Sequence, residues 1–237
     1  MPIIDIRDVS VSFADGTVAL SHVNLSVERG EVLIIAGRNG SGKTVLMRCI
    51  TGLVIPTGGA VFFDGKPVSG NLKEVRRRVG LVFQNSENQI VGQTAEEDVA
   101  FGPENLKMGR EEIRRIVEQS LAQAGLSDKA QVNPYHLSGG EKKRLAIAGI
   151  LAMDPEVVIL DEPFAGLDYP GVRDVLYRIT GLHEKGKTVI VITHEIEKVL
   201  AHATRLVVME GGTVVRNGKP ELILQQLEEF GIRRPHQ

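Results

Sequence analysis

The chain has one cysteine, Cys49, in 237 residues. An intrachain disulfide framework is therefore excluded; a lone thiol suits a reducing compartment and reads as a small buried apolar residue. An excess of charge of one sign is also missing. With 28 Lys and Arg against 30 Asp and Glu, the formal net charge is -2, which gives no global field for gathering nucleic acid. No segment approaches ~18 consecutive apolar residues, and the longest uncharged one, 49–63, is interrupted by Gly52, Pro56, Gly58 and Gly59. A membrane span is not expected. The N-terminus, MPIIDIRDVS, has acidic residues where a secretion signal needs a cationic start and an unbroken apolar run, so export is not expected either. Long linkers, low-complexity runs and internal repeats are absent as well. Present instead is enough apolar material, 42% of residues, for one large α/β domain, or a domain with a smaller insert, that folds alone.

Up to about residue 35, the β-rich runs IIDI, VSVSF, VNLSV and VLIIA are separated by turn signals such as Asp15-Gly16 and Arg29-Gly30. GAVFFDGKPV continues the pattern, with Asp64-Gly65 as a hairpin turn. From about 85 to 130 the period becomes helical. In EEIRRIVEQSLAQAG the residues Ile113, Ile116, Val117, Leu121 and Ala124 share one face, and Gly125 is placed to end the helix. After 138, helices alternate with runs that are apolar at every position: VVIL at 157–160, TVIVIT at 188–193 and LVVM at 206–209. Such runs are strands buried on both faces, and their alternation with helices predicts a parallel sheet. The expected fold class is α/β: a parallel core sheet flanked by helices, an N-terminal antiparallel β subdomain and an inserted helical subdomain.

GRNGSGKT, residues 37–44, fits G-x-x-x-x-G-K-[ST] and directly follows VLIIA. Its glycines let the main chain wrap a phosphate chain, and the helix that follows offers free N–H groups and the positive end of its dipole. The nucleotide-binding residues expected here are Asn39, Gly40, Ser41, Gly42, Lys43, Thr44 and Val45; Lys43 would contact the β and γ phosphates and Thr44 would bind Mg²⁺. In VVILDEP, Asp161 emerges at the C-terminal end of a buried strand, where ligands bind in parallel sheets and a carboxylate can hold Mg²⁺ through water. Glu162, pointing the other way along the strand, can orient the water that attacks the γ phosphate or take its proton. A surface Asp-Glu pair at a strand end is the plainer alternative.

In LSGGEKKRLAIAGIL, residues 137–151, Ser138 and Glu141 form a capping box for a helix whose apolar side is Leu145, Ile147, Ala148 and Leu151. Two glycines behind a serine at a helix N-terminus also make a second anion-binding surface. One chain has no γ phosphate left over for it, so its simplest use is a nucleotide held by another subunit. Of the six histidines, His194 ends TVIVIT at the sheet edge where Asp161 emerges, within reach of a nucleotide. His22, His136, His183, His202 and His236 read as satisfied or solvated side chains, and Arg76-Arg77-Arg78 as a solvated helical face.

In the order GRNGSGKT, Gln84, LSGGE, VVILDE, AGLD and His194, over about residues 3–220, the chain resembles the ATP-binding subunit of ABC transporters. The resemblance implies a P-loop NTPase of ABC type that binds ATP and Mg²⁺, pairs with a second ATPase subunit as a homodimer or heterodimer, and hydrolyses ATP. It implies that Phe13 stacks on adenine, although alternation in VSVSF would also leave a half-buried strand aromatic there. Gln84 would sense Mg²⁺ and the attacking water, so the metal set is Thr44, Gln84 and Asp161. Ser138, Gly139, Gly140 and Glu141 would close over the partner's ATP, and Asp168 in AGLD would communicate between the two sites. His194 would bridge the γ phosphate and Glu162, giving Lys43, Gln84, Glu162 and His194 as the catalytic set. The implied division is 1–84, the first part of the nucleotide-binding core with its antiparallel β subdomain; 85–137, the helical subdomain; 138–220, the signature helix and the rest of the core; and 221–237, a short C-terminal helix at ELILQQLEEF and a tail.

FQNSENQIVGQTAEEDVAFGPENL, residues 83–106, is too polar for a core and too patterned for an idle loop. It looks most like the Q-N-P-x-x-Q-x-V…T-V-x-x-D-V-A-F-G-x-x-N stretch of the energy-coupling-factor importers of cobalt, nickel and vitamins. SGGEKKRLAIAGILAM and DEPFAGLD fit the same group, while Ser86 and Ala95 stand where proline and valine are usual. That likeness implies a peripheral subunit on the cytoplasmic face of the cell membrane. Its partners would be a transmembrane coupling protein, met by this stretch, and a substrate-capture membrane protein; no nucleic acid is expected. In that group a membrane subunit selects the cargo, and the resemblance leaves open whether the ATPase pair is identical or mixed. Group members commonly carry a longer C-terminal extension that holds the pair together, so pairing without ATP is also left open. The alternatives are the ATPase of another importer branch, or a non-transport ABC ATPase acting on chromosomes or nucleic acid or in mechanical signalling. The nucleic-acid branch usually has tandem ATPase halves or a long coiled-coil insert; here there is one phosphate loop and one signature, with about 95 residues between them.

Overall fold

The structure, a computed structural model, describes residues 1–233; His236 and the end of the expected tail lie outside them. The chain opens with β1 (Ile4–Ser12), β2 (Val18–Val27) and β3 (Val32–Ala36) and turns through the glycine-rich loop into α1 (Lys43–Ile50). It returns through β4 (Gly58–Phe63), β5 (Lys66–Pro67), α2 (Leu72–Arg78) and β6 (Val79–Val82). Three helices follow: α3 (Ala95–Asn105), α4 (Arg110–Ala124) and α5 (Gly139–Leu151). Then come β7 (Val157–Asp161), α6 (Tyr169–Glu184), β8 (Thr188–Ile192), the hairpin β9 (Arg205–Glu210) and β10 (Thr213–Gly218), and α7 (Pro220–Ile223).

The strands form an antiparallel sheet, β2-β1-β4-β5, and a six-stranded sheet, β10-β9-β3-β8-β7-β6. The larger sheet is parallel except for β10. Within β3, Leu33 and Ile35 face a core shared with the antiparallel sheet and α1, while Val32, Ile34 and Ala36 face one closed by α6 and α7. Successive residues change face and all are buried, as a parallel strand covered on both sides requires. A third core joins α3, α4 and α5 through Val99, Leu121 and Leu145. Helix α5 serves two cores, since Ile147 packs with the sheet. Cys49 is buried in α1, and burial pushes its thiol up to about 11. Among the described residues, no helix is long and apolar enough to cross a membrane.

Four details depart from expectation. IIDI and VSVSF are one strand: β1 passes through both, with Asp8 at a left-handed φ of 53° and the Asn24 Oδ1 accepting its N–H at 2.9 Å. The shifted register on either side is the mark of a bulge. VGLV, unforeseen as a strand, pairs with β7 as β6. Arg76 and Arg77 are exposed, but Arg78 is drawn inward. Its Nε and Nη2 donate to the Glu156 Oε1 and Oε2 at 2.6 and 2.8 Å, and its guanidinium lies 4.8 Å from the Phe63 ring centre. This two-pronged pairing fixes a planar cation that a solvated face would leave free. Lastly, the C-terminal helix becomes a 3-10 helix over Leu224–Phe230. There Leu224, Leu227 and Phe230, three apart, stack on the sheet's second core, matching the three-residue turn. The Asp64-Gly65 turn is as expected, with φ of 51° and 75° at its two central residues.

Gly80 in β6 leaves no room for a side chain. A Cβ there would fall inside van der Waals distance of the Ile150 Cγ2 and 3.1 Å from the Pro155 Cγ. Gly80→Ala is expected to cost about 1–3 kcal/mol by overpacking, read from urea unfolding. A change under about 0.5 kcal/mol would mean that the seam between α5 and β6 yields freely.

Candidate active site

Strands β3, β8, β7 and β6 all end at one edge of the parallel sheet, and the residues after each face a cleft of about 450 Å³. Beyond β3, Asn39, Gly40, Ser41, Gly42, Lys43, Thr44 and Val45 line it; beyond β6, Gln84; from the end of β7, Asp161 and Glu162; and beyond β8, His194. Thr17, Val18 and Ala19, from the β1–β2 hairpin, close one side.

The loop before α1 is built to bring backbone close to whatever fills the cleft. Gly42 has φ 97°, and a Cβ on it would lie 2.7 Å from the Ala19 carbonyl oxygen, so neither the angle nor the space admits a side chain. No side chain caps α1, whose first N–H groups are therefore open to an anion. Lys43 is buried, and its Nζ donates to the carbonyl oxygens of Gly37 at 2.6 Å and Arg38 at 3.0 Å. The loop thus wraps its own ammonium. Burial lowers the Lys43 pKa, and the facing Glu162 and Asp161 oppose that shift.

Asp161 is the buried last residue of β7. Its carboxyl is pushed up to about 6, first by burial and then by Glu162, against the pull of Lys43 and Arg48. Glu162 does not point the opposite way along the strand. Its φ of 46° turns the chain out of β7, so both carboxylates reach the same cleft. The turn is fastened to β8, where the Glu162 N–H donates to the Ile192 carbonyl at 2.8 Å. The Glu162 Oε2 accepts from the Thr193 Oγ1 at 3.0 Å, and its Oε1 meets the His194 Nδ1 at 2.9 Å. The same Thr193 hydroxyl, fully buried, accepts the Glu195 N–H at 3.0 Å. Thr44, Gln84 and Asp161 bring hydroxyl, amide and carboxylate oxygens to one cleft, a hard donor set that fits Mg²⁺. A cation beside Asp161 would favour its ionised form against the burial that raises it.

The remaining expected residues lie elsewhere. Phe13 is 45% exposed in the turn beyond β1, where its N–H donates to the Thr17 carbonyl at 2.9 Å. It is not a half-buried strand residue, because the strand ends at Ser12. Ser138, Gly139, Gly140, Glu141 and Asp168 are outside the cleft lining. The capping box at α5 is complete: the Ser138 Oγ accepts the Glu141 N–H at 3.3 Å, and the Glu141 Oε2 accepts the Ser138 N–H at 2.8 Å. Lys129 bonds the other Glu141 oxygen and, with the Ser138 N–H, holds that carboxyl down at about 2. Asp168 caps α6, its Oδ1 accepting the Gly171 N–H at 3.0 Å. His22 is exposed beside Asp8; His183 is half-buried, and among the described residues its buried Nδ1 has no hydrogen-bond partner.

Sequence reasoning passes over several residues that shape this region. Thr193 reads as one more β-branched strand residue, yet it orients Glu162. In the 83–106 stretch, the Gln89 Nε2 donates to the Leu81 carbonyl at 2.9 Å and its Oε1 accepts the Phe83 N–H at 3.1 Å. Its amide takes the place of a neighbouring strand at the end of β6. Asp98 is buried, and its Oδ1 accepts the N–H groups of Val91 and Gly92 at 2.8 and 3.1 Å. Close in sequence to these anchors, Val91 and Phe101 stay exposed.

Residues 20–165 match the ABC transporter family. Over 231 residues, 96% of this chain and 83% of the relative, the sequence is 42% identical to the energy-coupling factor transporter ATP-binding protein EcfA of Methanocaldococcus jannaschii. Among solved structures it is similar to cbiO1 of Clostridium perfringens, described as part of the ABC transporter complex cbiONQ. That likeness has 36% identity and a TM-score of 0.86, and covers 96% of this chain and 92% of the other. It is also similar to the ATP-binding cassette MJ0796, a dimer in a post-hydrolysis state bound to ADP and Pi. There the identity is 33%, the TM-score 0.83, and the coverage 91% and 98%. These neighbours share the fold class expected from the sequence.

Asp161 makes stability depend on pH. Its folded value of about 6 lies above the ordinary 3.8, so between the two the folded chain holds the proton more tightly than the unfolded one. The contribution is full below about pH 4 and is lost as pH rises through about 6. In urea unfolding of the nucleotide-free chain, Asp161→Asn is expected to gain on the wild type by on the order of 2 kcal/mol between about pH 4 and pH 7. A difference that does not change with pH would show that the carboxyl titrates normally in the fold.

Proposed function

The chain belongs to the ABC transporter ATPase family, and on that premise we propose that it powers an energy-coupling-factor-type importer of a metal ion or vitamin, as one of a pair of ATPases at the cytoplasmic face of the cell membrane. ATP binding and hydrolysis are the family's activity. The importer reading draws on the relatives named for an energy-coupling factor transporter and for the cbiONQ complex. The observation that carries the reading is the single cleft in which the phosphate loop meets Gln84, Asp161, Glu162 and His194.

In that cleft the backbone from Asn39 to Val45 cradles the phosphates, and Lys43 moves from its loop carbonyls to the β and γ oxygens. Phe13, exposed at the hairpin rim, offers its ring to adenine. Thr44, Asp161 and Gln84 would hold Mg²⁺, which neutralises phosphate charge. Glu162, aligned by Thr193 and His194, orients the attacking water and takes its proton, and His194 also reaches the γ phosphate. Ser138, Gly139, Gly140 and Glu141 face the nucleotide of the second subunit. Their place outside the chain's own cleft supports this, as does a helix start presenting N–H groups. Asp168 links the paired sites. The membrane coupling protein docks on the 83–106 stretch, where Val91 and Phe101 are exposed and Gln84 lies at the cleft.

Glu162→Gln is expected to keep nucleotide affinity and to turn over at least ~10²-fold more slowly in a steady-state phosphate-release assay; near-normal turnover would remove Glu162 from its role. The same variant, tagged and extracted from its own membranes in mild detergent, is expected to bring with it a transmembrane coupling protein and a small substrate-capture protein, identified by mass spectrometry. A permease pair with a solute-binding protein would move the chain to another importer branch. Soluble or nucleic-acid partners alone would overturn transport.

A further inference from the structure

The left-handed turn at Glu162 is held from two sides. On the β8 side are the Ile192 carbonyl, Thr193 and His194. On the other side stands Lys143, a residue of α5 that does not line the cleft. It is only 4% exposed, and its Nζ donates to the backbone carbonyls of Glu162 at 3.3 Å and Ala165 at 3.1 Å. The Glu162 carbonyl also accepts the Ala165 N–H at 3.2 Å, so the ammonium closes both ends of a single tight turn.

Two features argue that this contact does more than fill space. A buried charge is costly where a shorter amide or an apolar side chain could occupy the volume. Burial lowers the Lys143 pKa accordingly, with Glu162 and Glu195 opposing. The helix that carries Lys143 is also fixed at each successive residue. Glu141 pairs with Lys129, the Lys142 Nζ donates to the Glu87 Oε1 at 2.8 Å, and the Arg144 Nε donates to the Ala124 carbonyl at 2.9 Å. Those three ties run to the helical insert and to the loop after Gln84, and only Lys143 runs to the carboxylate turn. It is a charged post on an anchored helix, set against the one strained backbone position in the cleft.

We infer that Lys143 is a positioning residue for ATP hydrolysis: by bonding the Glu162 and Ala165 carbonyls it fixes the backbone from which the Glu162 carboxylate reaches the attacking water. The inference rests on the ATPase reading above, with Glu162 as the base. A residue acting this way changes the rate of the chemical step and leaves nucleotide binding alone, because the phosphate loop is untouched.

The test is steady-state ATP hydrolysis and nucleotide binding by the full chain carrying Lys143→Met, which keeps the stem and removes the donor, and Lys143→Gln, which restores a neutral donor. Lys143→Met is expected to lower kcat at least ~10-fold with KM and ATP affinity within about twofold of wild type, and Lys143→Gln to recover part of the loss, to about threefold below wild type. A kcat within about twofold of wild type in Lys143→Met, a loss that appears in KM instead, or a Gln variant no better than Met would each overturn the inference. If Lys143→Met does not fold, Lys143→Gln decides: a lower kcat at unchanged KM supports the role, and wild-type kcat overturns it. Glu162→Gln is measured alongside. Near-normal turnover there would sink the catalytic reading and this inference with it, whereas an inactive Glu162→Gln beside a wild-type Met variant would sink this inference alone.

Discussion

The parallel pairing of β3, β8, β7 and β6 is the constraint on which the rest of the molecule depends. Strands that run the same way end on the same edge, and the helices that carry the chain back cover both faces. Apolar residues are therefore confined to the strand bodies and polar chemistry to the edge. Segments far apart in sequence deliver Lys43, Gln84, the two carboxylates and His194 to one cleft without further design. What the sheet does not supply is the turn at Glu162. A non-glycine residue at φ 46° carries strain of order 1–3 kcal/mol and persists because its surroundings over-determine it. Backbone, hydroxyl and imidazole groups from the end of β8 and an ammonium from α5 all converge on those few atoms.

The parts of the site legible in the sequence are the local ones. A strand end can be read from four or five apolar residues, and the residue types that follow it announce a phosphate loop, a carboxylate pair or a histidine. The α/β class is legible for the same reason. Thr193 and Lys143 are not, since each acts on a partner reached only through the fold: TVIVIT absorbs the threonine as a strand residue, and EKKRLA absorbs the lysine as helix surface. Arg78 differs from Arg76 and Arg77 in having the Phe63 ring and the Glu156 and Asp64 carboxylates within reach, the two carboxylates at 78 and 14 residues' separation. The continuity of β1 is hidden likewise, because the bulge at Asp8 is stabilised by Asn24 on the neighbouring strand.

In the polar 83–106 stretch most polar side chains face solvent, but a few are turned inward and hold its backbone. Gln89 finishes the hydrogen bonding of β6, Asp98 gathers the Val91–Gly92 turn onto the start of α3, and the Thr94 hydroxyl caps that helix by accepting the Glu97 N–H at 3.2 Å. Ala95, Val99 and Ala100 of this segment pack into the helical core, while Val91 and Phe101 stay exposed beside it.

The lone cysteine carries a consequence of a different kind. Cys49 is buried, and its thiol is raised to about 11, so at neutral pH it is neither ionised nor within reach of an electrophile. Toward maleimides, spin labels and mild oxidants the chain behaves as a cysteine-free protein. A sulfur introduced at Ser138 or Phe101 would be the sole site of modification, and cross-links or label-to-label distances between two copies could be read without first rewriting the core.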